Sequence, residues 1–171
     1  MESNISKSAM LNGLIIGFLL SVKFLLSVQK QGLFVFFGLV ISVLIIVQMY
    51  LTTVRFRETE SDGFISYGQA FKHLFLLYMY GAIISTLVVL IYTKFINSGY
   101  LEEALNNIMK VYSNFKIPID DQTYKVLETI YKPISFSFLN LFSSLFTAAF
   151  WGLILAGFIK KNKSIFDQES K

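Results

Sequence analysis

The sequence predicts an all-α membrane protein: four transmembrane helices in an antiparallel bundle, with an extracytoplasmic amphipathic helical segment between spans three and four. Two observations lead there. Only 15% of the 171 residues are charged, against 54% hydrophobic, whereas an ordinary soluble domain carries about 25% charge. The apolar residues also fall into four long runs separated by charged punctuation, which is how membrane spans read and how soluble cores do not.

Span one runs from Ala9 to Val28, and at about 1.5 Å per residue it matches a hydrocarbon core of about 30 Å. Asn12 and Lys23 alone interrupt it. A basic N-terminus before an apolar run also resembles a secretory signal peptide, but this run exceeds the usual length and Ser27-Val28-Gln29-Lys30 offers no cleavage site, so a retained helix is expected. The turn Gln29-Lys30-Gln31-Gly32 leads to span two, Leu33 to Val54, polar inside only at Ser42, Gln48 and the closing threonines.

Arg55 to Gly63 reads as a charged loop. Ser66 followed three residues later by Gln69 makes a capping box, so the next helix is expected to begin at Tyr67 and to enter the hydrocarbon as span three, 74–96. Between 97 and 133 the chain is too polar for the bilayer. Leu101, Ala104, Leu105, Ile108, Met109, Tyr112 and Phe115 nevertheless recur at helical spacing, which predicts an amphipathic helix ended by Ile117-Pro118. A second short helix is expected from Asp120 or Asp121, burying Tyr124, Leu127, Ile130 and Tyr131 until Pro133 stops it. Span four, 134–159, carries Asn140 and Trp151 and ends in Lys160-Lys161-Asn162-Lys163, before an expected disordered tail over 164–171.

Basic residues close to the span ends set topology. Lys7, Arg55, Arg57, Lys72, Lys160, Lys161 and Lys163 fall on the side of both termini, against Lys30, Lys94 and Lys132 opposite. Both termini are therefore expected in the cytoplasm, and the 97–133 segment outside. The net charge of +4 is spread over span ends rather than gathered in one basic stripe, which fits lipid headgroups and not nucleic acid. With no cysteine there is no disulfide, thiolate nucleophile or Cys-ligated metal.

In lipid, helices associate through close approach of small residues and interhelical hydrogen bonds. Each span has small residues four apart and thus on one face: Gly13, Gly17 and Ser21; Gly38 and Ser42; Gly81 and Ser85; Ser144, Ala148, Gly152 and Ala156. The first and fourth sets are the longest, so spans one and four are expected to pack together.

Lys23 is the one formal charge well inside a span. It either snorkels to the nearer headgroups or partners a lipid phosphate or another span. His73, the sole histidine, reads as an interfacial polar residue, since a metal site needs several ligands and catalysis a partner. No Asp or Glu lies inside a predicted span, which argues against a carboxylate proton relay. Asn12, Gln48 and Asn140 are too few and scattered to line a channel. No cofactor, metal or catalytic residue is expected, and the chain is not expected to be an enzyme.

The most distinctive string is Gly63-x-Ile65-Ser66-Tyr67-Gly68-Gln69-Ala70-Phe71, placed after two apolar runs and before a third. It resembles the bacterial membrane family catalogued as domain of unknown function 4199, and the likeness extends to size, four spans, the long segment before the fourth and its basic end. The resemblance implies a multi-pass inner-membrane protein with no assigned activity, in loose association with polyprenyl-phosphate glycosyltransferases. On that footing Lys23, Arg55, Arg57, Tyr67, Gln69 and Lys72 are the candidate contacts for a lipid phosphate or a partner enzyme. The expected role is a non-enzymatic accessory or scaffold binding membrane lipids, another membrane protein or a second copy; the alternative is a small carrier or flippase-like factor for a polyprenyl-linked sugar.

Overall fold

The computed structural model describes residues 2–29 and 32–162. Lys30, Lys163 and the tail from Ser164 lie outside the described residues. Among the described residues six α-helices follow one another: α1 Glu2–Ser27, α2 Gly32–Glu60, α3 Tyr67–Ile91, α4 Tyr100–Asn114, α5 Asp121–Ile130 and α6 Pro133–Ile159. A π-helical turn, Tyr92–Ile96, continues α3. Four stretches among the described residues are long and apolar enough to cross a membrane: Asn4–Val28, Gly32–Glu60, Tyr67–Ile96 and Pro133–Ile159.

Local chemistry explains most boundaries. The capping box forms as the sequence suggests: Gln69 N donates to Ser66 Oγ and Ser66 N to Gln69 Oε1, so α3 starts at Tyr67 with two otherwise orphaned donors satisfied. α2 departs from expectation by continuing through Arg55 to Glu60 where a loop was expected. Thr59 Oγ1 donates to the Arg55 carbonyl, and the Arg57 guanidinium grips the neighbouring Glu58 at 2.6 Å, so polar side chains carry the helix past its apolar run. Asp62 and Gly63, both at positive φ, then turn the chain, and Gly63 N caps the Arg57 carbonyl at 2.9 Å. Pro133 opens α6 rather than merely closing α5, since a first-turn proline sacrifices no helical hydrogen bond.

The chain divides into two compact units, one of residues 1–85 with 144–171 and one of residues 86–143. In the first unit, α1 and α3 touch along a seam of glycines. A Cβ on Gly81 would lie 2.7 Å from Ile16 Cγ2 and 2.9 Å from the Gly17 nitrogen, and one on Gly13 would lie 2.8 Å from Tyr80 Cβ. Real atoms do not approach that closely, so only glycine admits this crossing. Gly17 meets Ile84, and Gly152 of α6 meets the Phe71 ring, so the glycine approaches of spans one and four are both made to span three. Ser21, Ser85, Ala148 and Ala156 are buried on these helices, and Ser21 Oγ returns to the Gly17 carbonyl. Gly38 has nothing near its open side.

Three contacts gather one end of this unit. Ile65 and Lys161 exchange backbone hydrogen bonds of 3.0 and 2.9 Å, Arg57 Nη1 donates to the Ile159 carbonyl, and Ser8 reaches His73. The start of α1, the α2–α3 turn and the end of α6 therefore lie together. In the second unit, Leu101 and Leu105 of α4 are buried while Phe115, Ile117, Tyr124 and Val126 are exposed. Asp120 caps α5 by accepting from Thr123 N at 3.0 Å, and hydrogen bonding from the Thr123 side chain, then from its backbone N–H, holds the carboxyl below the usual carboxylate range.

Candidate functional site

Within the first unit, α1 and α2 part at the same end and enclose a groove of about 750 Å³. Helix periodicity makes it polar. On α2, Gln48, Thr52, Arg55 and Thr59 follow one another at spacings of four, three and four, so they form one stripe, and Glu60 lies at its end. α1 presents Ser8 and Asn12, again four apart, with Leu11 and Ile15 beside them. The remaining wall is Leu51 and Phe56. The stripe grades along the helix: amides and hydroxyls toward the middle, full charges at the end.

Behind the groove a buried cluster holds the two walls in place. His73 of α3 is 0% exposed; its Nδ1 lies 2.9 Å from Thr53 Oγ1 and its Nε2 lies 3.3 Å from Ser8 Oγ. A hydroxyl donates or accepts as required, so the two satisfy either tautomer. The Phe56 ring stacks on the imidazole at 4.5 Å between centroids. Ser8 and Phe56 thus each show one side to the groove and the other to His73. The sequence reading of His73 as an interfacial residue gives way to a buried tie among α1, α2 and α3.

Inner polar groups are partly engaged with their own helices. Asn12 Nδ2 donates to the Ser8 carbonyl at 2.9 Å, and Gln48 Nε2 to Thr52 Oγ1 at 3.4 Å. The charged groups are not. Neither the Arg55 guanidinium nor the Glu60 carboxylate has an ion-pair or hydrogen-bond partner among the described residues.

The structure brings only one of the six candidate contacts to this groove, Arg55. Arg57 is committed to Glu58 and the Ile159 carbonyl, Tyr67 donates its hydroxyl to the Leu153 carbonyl, and Gln69 closes the capping box. Lys72 stands on the exposed face of the first turns of α3, and Lys23 is half-buried farther along α1. Ser8, Thr52 and Glu60 escape a reading that weighs each polar residue singly, and Asn12 and Gln48 enter it only as residues too scattered to line a channel. Their signal was periodic: two polar stripes at helical spacing in neighbouring apolar helices.

A family model described as protein of unknown function (DUF4199) matches residues 11–161, and the chain belongs to that family. No curated protein and no solved structure matches it.

Proposed function

We propose that this DUF4199-family membrane protein is a non-enzymatic lipid-binding accessory that holds a membrane lipid by its headgroup in the α1–α2 groove. One observation carries the reading: a polar stripe whose charged end holds a guanidinium with no ion-pair partner among the described residues, set into helices that are otherwise apolar. Groups that cost free energy to place beside lipid tails belong where a polar ligand or water meets them, and a guanidinium is suited to bidentate hydrogen bonds with phosphate oxygens. The sole imidazole is enclosed behind Ser8 and Phe56 rather than open to the groove, which favours holding over chemistry.

The helices form an antiparallel bundle with both termini and the groove at the cytoplasmic leaflet of the inner membrane, and residues 97–133 outside. Lys7, Arg55, Arg57, Lys72, Lys160 and Lys161 on the gathered end support that orientation. Because the polar lining stops at Asn12 and Gln48, the groove suits retention of a headgroup more than passage of a polyprenyl-linked sugar from leaflet to leaflet. A membrane-associated glycosyltransferase or a second copy is the partner to which a held lipid would be presented.

The test is native mass spectrometry of the full-length protein released from its own membrane. Retained phospholipid that is lost in Arg55→Gln, with helicity unchanged, supports the reading; retention unaffected by that change sinks it. The cysteine-free sequence also allows topology to be read directly. Asn106→Cys should react with an impermeant maleimide from outside intact cells, and Ser66→Cys only after lysis.

A further inference from the structure

The groove holds two opposite charges that do not neutralise each other, and this deepens the lipid-binding reading on which it rests. Arg55 and Glu60 both line the cavity. Arg57, three residues before Glu60 on α2, is taken by Glu58 and the Ile159 carbonyl, and Glu58, three residues after Arg55, is taken by Arg57. Five residues separate the two groups on α2, a rise of about 7.5 Å, so they present one positive and one negative locus at the rim above neutral amides and hydroxyls.

We propose that the groove selects a zwitterionic phospholipid bearing a primary ammonium, with Arg55 receiving the phosphate and Glu60 the ammonium. An anionic headgroup without a cation would satisfy Arg55 and leave its charge facing Glu60. A quaternary ammonium donates no hydrogen bond to a carboxylate and is recognised instead by open aromatic faces; the one aromatic ring in the lining, Phe56, is stacked on His73. A primary ammonium donates to Glu60, and the pair of charge-assisted contacts matches the headgroup end to end.

The experiment titrates the full-length protein in nanodiscs with phosphatidylethanolamine, phosphatidylglycerol and phosphatidylcholine, reading bound lipid by native mass spectrometry. The expected result is phosphatidylethanolamine held about tenfold more tightly than either competitor, with Glu60→Gln bringing it to near parity with phosphatidylglycerol and Arg55→Gln weakening all three. Both residues are exposed, so neither change threatens the fold. Equal or stronger binding of phosphatidylglycerol by the unaltered protein, or an ethanolamine preference indifferent to Glu60→Gln, overturns the selectivity. A preference for phosphatidylglycerol that still depends on Arg55 does so while leaving headgroup binding intact, whereas binding of all three lipids indifferent to Arg55→Gln removes both.

Discussion

The two faces of α1 differ in kind. Toward α3 it presents Gly13 and Gly17, and the backbones come so close that no side chain fits between them. Toward α2 it presents Ser8 and Asn12, which line a polar groove together with that helix. One helix thus carries a dry seam and an open one, and the first is what lets the second persist. Without a hydrophobic drive between helices in lipid, a cleft stays open only if its walls are fixed from behind. The glycine seam and the Ser8–His73–Thr53 tie do that.

Overfilling the dry seam should do the most damage. Gly81→Leu places atoms against Ile16 and the Gly17 backbone, with an expected loss of about 3 kcal/mol or more from overpacking, read as a collapse of thermal stability in mild detergent. A stable, correctly inserted variant would show that the seam is not what braces the groove. His73→Leu comes next. It keeps an apolar bulk but strands the Thr53 and Ser8 hydroxyls, for an expected cost of about 1–3 kcal/mol with weakened lipid retention; lost stability and unchanged retention would separate the tie from the groove. Gly38→Leu is the opposite case, because nothing faces that glycine within 4 Å, and stability should move by less than about 0.5 kcal/mol.

The smallest effect lies outside the spans and gives the seams a reference. The Asp120 carboxyl sits below its usual range because it accepts hydrogen bonds from Thr123. A group with a depressed folded pKa contributes stability above its unfolded pKa and loses it as pH falls through the folded value. Acidification should therefore fray α5 in the unaltered protein, measured by amide exchange over 121–130. Asp120→Asn, which keeps a side-chain acceptor without a titrating charge, should remove that pH dependence.

Much of this was legible beforehand. Four spans follow from apolar runs, the start of α3 follows from Ser66 and Gln69, and the amphipathic α4 follows from the spacing of Leu101, Leu105 and Ile108. The extension of α2 to Glu60 was hidden because Arg55, Arg57 and Glu58 look like a loop until Thr59 and the Arg57–Glu58 pair are seen to support helix. The groove was hidden for a different reason. Ser8, Thr53 and His73 each look ordinary in their own segment, and they meet only because helix crossings bring together residues as far as 65 positions apart.

The clasp at the end of α6 carries a consequence for how the protein is made. Arg57 and Ile159 are 102 residues apart, and the Ile65–Lys161 pairing likewise waits for the last span. During synthesis the α1–α3 seam can close while the ribosome is still translating the 97–133 segment, but the gathered end is latched only after α6 has entered the bilayer. Chain closure over so long a separation is a late step, so a nascent protein stalled before α6 can hold its glycine seam but not its latch.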